Sequence, residues 1–462
     1  MTTHKPARPG EPDGLPQPLR NWAIVTTALG LMMAVLDGSI ANLALPTLAR
    51  EFDVSAAQSI WVVNAYQLAV TISLLPLAAL GEIVGYRRVY RVGMMLFTAA
   101  SLGCALSGSL TTLTIARVAQ GFGAAGMMSV NSALVRFIYP RHLLGRGFGV
   151  NVMVGSTSSA LGPTIAAAIL SGGGWQWLFA VNVPIGIFVL ILGSKTLPHT
   201  ARAPHRFDWG SAVLNAVTFG LLISGIEALG HGGSPLYAVL EIAFGLLAGW
   251  LLARRQVARA NPLLPVDLMR RPIFALSVAA STFSFAAQSM AYVTLPFYLE
   301  RQLGLSRGAT GLLMTPWPLT VALVAPAAGR LADRYSPGRM GAIGQALMVA
   351  GLIALALLPE HPSLWNIGWR MSLCGVGFGL FNSPNNRTMI ASAPPSRAGG
   401  ASGMQATSRL LGQTSGTALV AMLFGLLATG AITVSLSVAA CCSALACVAS
   451  LLRSGRSSSI NY

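Results

Sequence analysis

The chain has 462 residues, of which 54% are hydrophobic and only 9% are charged, whereas typical soluble domains carry about 25% charged residues. This composition excludes an ordinary soluble globular protein and is typical of a polytopic membrane protein. The net charge of +17 would suit a nucleic-acid partner, but the basic residues stand in short clusters between apolar runs, so we expect no nucleic-acid binding.

Residues 1–21 are polar and proline-rich and lack a signal-peptide apolar core, which predicts a disordered cytosolic tail. Apolar runs of about 20 residues follow, and each is long enough for a helix that crosses a bilayer. Fourteen such runs fall at 22–45, 57–80, 91–109, 111–133, 147–170, 177–194, 209–229, 235–253, 273–298, 309–329, 340–359, 365–386, 404–427 and 431–452. The sequence therefore predicts an all-α membrane protein with fourteen transmembrane helices.

The basic residues predict the orientation of these helices. Assigning the N-terminus to the cytoplasm places most of the 30 Lys and Arg residues on that side. Only Arg50, Arg301 and Arg307 then lie on the outer side, while Arg117, Arg370 and Arg409 lie within spans. The positive-inside rule therefore predicts that both termini are cytoplasmic.

Two features of the first half of the chain recur in the second half at nearly the same offset. The loop PLAALGEIVGYRR resembles PAAGRLADRYSPGR, and Arg117 followed by glycines recurs as Arg370 followed by glycines. Chance similarity is the alternative, but the shared offset favours two six-helix bundles related by a pseudo-two-fold repeat. The predicted domains follow from this division. A cytosolic tail at 1–21 precedes the first bundle at 22–194. A linker at 195–272 contains an extra transmembrane hairpin at 209–253, and the second bundle at 273–452 is followed by a cytosolic tail at 453–462.

Arg117 is the most informative residue, because a guanidinium at membrane depth is costly and must face a partner, a carbonyl or water. Gly121 and Gly123 follow it in LTIARVAQGFGAA and allow close packing against a neighbouring helix. Asp37, in the apolar run LMMAVLDGSIANLALP, is the best candidate partner. The pair favours a proton-coupling site, in which a proton on Asp37 breaks the ion pair; a purely structural pair is the alternative.

Glu227 is the other carboxylate of interest within the apolar runs. It lies near the end of the first helix of the extra hairpin, in GLLISGIEALGHGG. It is either a second protonatable site or an interfacial carboxylate that is wetted at the helix end.

Several stretches together resemble the major facilitator superfamily, and specifically its fourteen-span drug:proton antiporter branch, over essentially the whole chain. The matching stretches are LDGSIANLALPTLA, LTIARVAQGFGAA, GSTSSALGPTIAAAIL, WQWLFAVNVPIG and SRLLGQTSGTA. The resemblance implies the major facilitator fold, a bacterial inner-membrane location and a monomer. It also implies no cofactor, with the proton gradient as driving force, and partners that are protons, lipophilic small molecules and the bilayer.

The resemblance implies two further sets of functional residues. Repeated loop motifs would form a cytoplasmic latch, with simple balancing of local charge as the alternative; their residues are Glu82, Gly85, Arg87, Arg88, Asp333 and Arg334. A hinge or seal in the fifth span would use Gly155, Gly162 and Pro163, with ordinary small-residue packing as the alternative.

A substrate pocket is predicted from amide, methionine and aromatic residues within the spans, because such walls can repack around differently shaped amphipathic molecules. The candidates are Met32, Met33, Asn64, Tyr66, Gln67, Met127, Asn131, Gln288, Tyr292, Trp317, Phe381 and Asn382. Each of them is also explained by plain packing. Asp37 would attract a cationic ligand to such a pocket.

These observations predict a proton-coupled multidrug efflux antiporter that exports lipophilic, cationic compounds by alternating access. The alternatives are a dedicated exporter of one metabolite and a solute:proton symporter of the same fold. An enzyme is not expected, since the six histidines and five cysteines show no metal-ligand spacing and no nucleophile–base set. ATP-driven transport is not expected either, because the sequence has no GxxxxGK[ST] loop.

Overall fold

A computed structural model describes residues 14–140, 143–200, 207–229, 235–257, 266–332, 335–359, 362–393, 398–427 and 429–457 of the chain. Within these ranges the regular structure is entirely helical, which confirms the predicted all-α class. Nine helical segments among the described residues are long and apolar enough to cross a membrane.

The helices fall into two halves and a hairpin. The N-terminal half comprises α1 (Leu19–Glu51), α2 (Ala56–Val84), α3 (Tyr86–Ala105), α4 (Leu110–Ile138), α5 (Leu144–Gly172), α6 (Trp177–Ala180) and α7 (Asn182–Thr196). The hairpin comprises α8 (Trp209–Ala228) and α9 (Pro235–Val257), and the short α10 (Val266–Met269) follows it. The C-terminal half comprises α11 (Pro272–Phe297) with a π-helical extension at Tyr298–Gln302, α12 (Arg307–Met314), α13 (Pro316–Leu331), α14 (Pro337–Ala356), α15 (Leu364–Ala391), α16 (Ala398–Leu426) and α17 (Ala431–Ser457).

These helices overlap all fourteen predicted runs, but prolines interrupt two of them. α6 ends at Ala180, four residues before Pro184, and a proline ring clashes with the carbonyl four residues earlier in a helix. The second interruption separates Met314, the last residue of α12, from Pro316, the first residue of α13. Each run is nevertheless one helical segment long and apolar enough to cross a membrane, as the sequence predicted, with a local break that the sequence analysis did not predict.

The buried apolar residues show how the two halves meet. At the predicted outer end, where α1 ends and α2 begins, one cluster contains Leu48 and Val63 of the N-terminal half together with Leu299 and Trp317 of the C-terminal half. Towards the opposite end, one cluster contains Ile138 and other residues of the N-terminal half together with Leu410 of α16, and another includes Phe274 and Met389 of the C-terminal half. The halves are therefore closed against each other at the predicted outer end.

Polar contacts reinforce this closure. Arg50 Nη2 of α1 donates to Glu300 Oε2 at 2.9 Å, and the Glu300 side chain is 1% exposed while that of Arg50 is 52% exposed. The hydroxyls of Thr164 in α5 and Thr315 beside α12 lie 2.8 Å apart. An ion pair and a hydroxyl pair thus join the two halves near the same end of the bundle.

A second seam runs between α2 and α16. The hydroxyls of Thr71 and Thr414 lie 3.1 Å apart, and Thr417 Oγ1 donates to Gln67 Oε1 at 3.4 Å. Leu410 extends this contact further along α16, since it packs into the core cluster of the N-terminal half.

The extra hairpin is fastened to the N-terminal half. Asn215 Nδ2 of α8 donates to the carbonyl of Ile72 in α2 at 2.8 Å. At the base of the hairpin, Arg255 Nη2 donates to Asp208 Oδ1 at 2.9 Å. Partial burial disfavours the Asp208 carboxylate, but hydrogen bonds from Arg255 and Ser211 outweigh it and lower the pKa of Asp208 to about 2. The Arg255–Asp208 pair, which joins the two ends of the hairpin, is therefore retained throughout the physiological pH range.

We predict that Glu300→Gln loosens the closure at the predicted outer end. The substitution keeps the shape of the side chain but removes the charge that binds Arg50. For a half-exposed ion pair this loss lowers the free energy of closure by about 1 kcal/mol, which is roughly a fivefold change in the ratio of closed to open molecules. Hydrogen–deuterium exchange of the purified protein should become faster at the ends of α1 and α11. Glu51→Gln is the matched control, because Glu51 accepts from Trp175 Nε1 within the N-terminal half. Equal exchange in both variants would contradict the prediction.

Candidate functional site

The structure brings Asp37 of α1 and Arg117 of α4 together as a buried ion pair between Arg117 Nη1 and Asp37 Oδ2. Asp37 is 2% exposed and Arg117 is fully buried. The sequence predicted this partner for Arg117 from charge and depth alone. The role of the pair in proton coupling stays a prediction.

Arg117 is positioned by the packing of α4 on α2. Its Nε donates to the carbonyl of Val62 at 2.9 Å, and its guanidinium carbon lies 4.1 Å from the centre of the Tyr66 ring. A Cβ at Gly121 would lie 2.6 Å from the carbonyl oxygen of Tyr66, so only glycine permits this approach. Gly123 instead packs on α3, where a Cβ would lie 2.8 Å from the carbonyl oxygen of Gly93.

Two amide side chains complete the surroundings of Asp37. Gln120 Nε2 and Asn182 Nδ2 each donate to Asp37 Oδ1 at 2.9 Å. Gln120 in turn accepts from Arg117 Nη1 at 2.6 Å and donates to Ser101 Oγ at 2.9 Å. Asp37 therefore accepts hydrogen bonds from one guanidinium and two amides, and all of these groups are buried.

The sequence analysis did not assign a site role to Gln120, Asn182 or Ser101. Gln120 and Asn182 lie in stretches that carry the family resemblance, and a buried amide needs hydrogen-bond partners. That signal identifies them as members of some polar cluster. It does not identify Asp37 as the shared acceptor, because helical spacing defines a face and not the neighbouring helix.

The charge balance of this cluster depends on the Asp37 carboxylate. Protonation of Asp37 removes the charge that binds Arg117, while Arg117 keeps its contacts with Val62 and Gln120. A guanidinium without a counter-charge at membrane depth is unfavourable, so the loss of the ion pair would destabilise the contact between α1 and α4. A proton on Asp37 would therefore act on helix packing, and this role stays a prediction.

The hinge residues lie beside this cluster. A Cβ at Gly162 of α5 would lie 2.6 Å from Cβ of Ser39, two residues after Asp37. The carbonyl of Pro163 lies against Gly311 of α12, where a Cβ would be 2.9 Å away. Gly155, by contrast, has open space beside its Cα. Gly162 and Pro163 thus connect the surroundings of Asp37 with the C-terminal half, whereas Gly155 mediates no close packing.

The structure describes only part of the predicted latch. Glu82 is exposed near the end of α2, and Gly85 has φ +98°, a conformation that favours glycine, between α2 and α3. Arg87 donates to the Ser194 carbonyl and contacts His199, while Arg88 is exposed. Asp333 and Arg334 lie outside the described residues. Glu227 belongs to α8, but its side chain also lies outside them.

The predicted pocket residues are distributed over separate clusters. Met33, Tyr66 and Met127 pack in the core of the N-terminal half. Tyr292 and Trp317 belong to the shared cluster at the predicted outer end, with ring centres 5.2 Å apart. Phe381 is fully buried in a third cluster, and Asn64, Asn131 and Gln288 are buried as well. Gln67 contacts Thr417 across the α2–α16 seam, and Asn382 accepts from Asn386. The structure does not gather these residues on one wall.

We predict that Gly162→Ala lowers the stability of the protein, whereas Gly155→Ala does not. Both substitutions improve helix propensity by roughly 0.5–1 kcal/mol, but only the first forces a methyl group into Ser39. Such overpacking costs about 1–3 kcal/mol. The measurement is the thermal unfolding midpoint of each purified variant. The packing argument fails if Gly162→Ala unfolds at the same temperature as Gly155→Ala.

Comparison with known proteins identifies the group to which this architecture belongs. A family model described as Major Facilitator Superfamily matches residues 27–417 and, in a second match, residues 278–459. A protein of Escherichia coli (strain K12) named "Uncharacterized transporter YebQ" is 53% identical over 443 residues, which are 96% of this chain and 97% of that protein.

More distant relatives carry names that state a substrate class. The "Riboflavin transporter RibZ" of Clostridioides difficile (strain 630) is 32% identical over 88% of this chain and 88% of its own. The "Multidrug resistance protein Stp" of Mycobacterium tuberculosis (strain CDC 1551 / Oshkosh) is 32% identical over 86% of this chain and 74% of its own. The solved structure of a bacterial homolog to the human lysosomal transporter Spinster has a similar fold, with a TM-score of 0.69 at 16% identity over 96% of this chain and 98% of that one.

Proposed function

This chain belongs to the Major Facilitator Superfamily of membrane transporters, and from that premise we propose that it exports lipophilic small molecules in exchange for protons. The buried ion pair between Asp37 and Arg117 carries the proposal. Burying an ion pair is costly, and well-packed apolar residues often replace one without loss of stability. A carboxylate that is kept in such a buried pair, in a family of transporters, supports a role in coupling.

A connected set of contacts links this carboxylate to the seam between the halves. Asp37 lies two residues from Ser39, which packs against Gly162 of α5. α5 reaches the C-terminal half through Pro163 and through the hydroxyl pair of Thr164 with Thr315. We propose that a proton on Asp37 loosens α1 from α4 and that α5 transmits this change to the seam.

The closure at the predicted outer end defines the state that the structure represents. With both termini in the cytoplasm of a bacterial inner membrane, as the basic residues favour, this state would load substrate from the cytoplasm. Export then requires the halves to separate at the Arg50–Glu300 pair. The loop residues Glu82, Gly85, Arg87 and Arg88, with Asp333 and Arg334 of the second copy, would hold the cytoplasmic end in the opposite state. In this proposal the protein acts as a monomer.

Transport of a single metabolite is the second candidate function. The riboflavin transporter and the multidrug resistance protein are equally similar to this chain, at 32% identity. Membership of the fourteen-span drug:proton antiporter branch is therefore part of the proposal, and the range of substrates separates the two candidates. A dedicated exporter or a symporter would move riboflavin or one other compound and ignore a panel of unrelated dyes.

We predict that cells producing the protein export a panel of fluorescent lipophilic dyes, that an uncoupler abolishes this export, and that Asp37→Asn reduces it to background. Asparagine keeps the shape of the side chain but has no proton to exchange. Dye retention in whole cells is the measurement; Glu51→Gln is the control, because Glu51 accepts from Trp175 Nε1, and Glu227→Gln tests the second candidate carboxylate. Persistent uncoupler-sensitive export by Asp37→Asn would reject Asp37 as the coupling residue. Export of riboflavin alone would favour the second candidate function.

A further inference from the structure

Arg409 of α16 differs from the other arginines that the sequence places within spans. Arg117 is paired with Asp37, and Arg370 stacks on the Trp369 ring at 5.1 Å and donates to the Asn366 carbonyl at 3.4 Å. Arg409 forms no hydrogen bond or ion pair with any described residue, and its Nε is buried without a partner. It lies eleven residues into α16, or roughly 16 Å at 1.5 Å per residue.

The neighbouring residues of α16 show where Arg409 lies. One face of α16 packs on α11, because Ser408 Oγ donates to Ser281 Oγ at 3.0 Å and a Cβ at Gly412 would be 3.0 Å from Cβ of Phe285. Another face packs on α2 through Thr414 and Thr417. Arg409 lies between these two faces on the helix, and it is close enough to Tyr66 of α2 to interact with it electrostatically. It is therefore at the junction of the two halves.

Two amide residues share this position along the helix. Gln405, Arg409 and Gln413 are spaced four apart, so their side chains follow one another along α16. All three are partly exposed, and none of their side chains has a hydrogen-bond partner among the described residues. We call these three residues the α16 polar stripe. It offers one cation and two amides to a molecule that enters between the halves.

Two buried carboxylates in the described part of the chain have other partners and do not neutralise this stripe. Asp37 accepts from Arg117, Gln120 and Asn182, and Glu300 accepts from Arg50 at the predicted outer end. Asp37 thus already accepts hydrogen bonds from three residues of its own half. The charge left without a partner in the described part of this junction is positive.

We propose that Arg409 binds a planar anionic group, such as a carboxylate, on an otherwise apolar aromatic molecule that the protein transports. A guanidinium matches a two-oxygen anion with two parallel N–H bonds, and such charge-assisted bonds are strong where water is scarce. Gln405 and Gln413 would add amide hydrogen bonds along the same stripe. The inference rests on the proposed export function for the claim that the bound molecule is a transported one.

Two dyes of the same ring shape and opposite charge test the proposal. Fluorescein is anionic near neutral pH, and tetramethylrhodamine methyl ester is a cation with the same xanthene ring. Fluorescence polarisation with the full-length protein in nanodiscs of zwitterionic lipid gives both affinities. We expect fluorescein to bind more tightly than the rhodamine ester. Arg409→Gln should weaken fluorescein binding at least tenfold, and Arg409→Lys should give an intermediate loss because it keeps the charge without the paired N–H groups.

Arg370→Gln is the matched control, because it removes a guanidinium from a span without touching the stripe. Each variant is first shown to unfold cooperatively at a temperature near that of the wild type. If Arg409→Gln does not fold, Arg409→Lys replaces it in the binding measurement. The proposal is overturned if the wild type prefers the rhodamine ester, if it binds neither dye, or if Arg409→Gln binds fluorescein as tightly as Arg370→Gln does.

A lipid headgroup is the other source of a negative charge. The binding measurement is repeated in nanodiscs that contain anionic lipid. If this lipid blocks fluorescein binding to the wild type, the stripe binds a lipid headgroup and the proposal is overturned. The export function is tested separately. If uncoupler-sensitive export is the same in Arg409→Gln as in the wild type, the export function stands and ligand binding by the α16 polar stripe is rejected. If fluorescein binding depends on Arg409 but no export is detected, ligand binding by the stripe stands and the export function is rejected.

Discussion

The buried guanidinium of Arg117 is the constraint on which the N-terminal half depends. A charge at this depth costs several kcal/mol unless it is paired and hydrogen-bonded, and the helices around it supply each partner. α1 provides the Asp37 carboxylate, α2 provides the Val62 carbonyl and the Tyr66 ring, and α7 provides Asn182, which holds the same carboxylate. Gly121 lets α4 come close enough to α2 for these contacts to form. Four helices are thus positioned by one side chain.

The two halves repeat their architecture but not this chemistry. Arg370 occupies the place in the sequence that corresponds to Arg117 and a similar position in its helix, yet it contacts the Trp369 ring and the Asn366 carbonyl instead of a carboxylate. Among the described residues of the C-terminal half, the buried arginine is Arg453, which donates to Ser277 Oγ at 2.8 Å and to the Asn385 side chain. Its partners are neutral and cannot exchange a proton at physiological pH, whereas the partner of Arg117 is a carboxylate. This asymmetry favours a coupling site in the N-terminal half alone.

The sequence predicted the helices well because a run of apolar residues of sufficient length has few other uses. It also predicted the Asp37–Arg117 pair, since opposite charges at similar depth have a strong reason to meet. The substrate pocket stays a prediction, because buried and cavity-facing positions have the same composition in a membrane protein; Phe381 and Trp317, for example, are fully buried. The sequence did not predict that Arg409 lacks an ion-pair partner among the described residues, because that depends on which residues of α2 and α11 face α16.

The distribution of packing contacts shows how the halves can move without unfolding. Each aromatic pair among the described residues of the halves joins helices of one half, as in Phe52 with Trp175 and Phe285 with Phe378. The polar contacts between the described residues of the two halves, by contrast, are hydroxyl pairs such as Thr164 with Thr315, the hydroxyl–amide contact of Thr417 with Gln67, and the Arg50–Glu300 ion pair. Large interdigitated rings resist sliding, whereas hydroxyl pairs exchange readily with water. Each half is therefore built to move as a rigid body, and the seam between the halves is the part built to open.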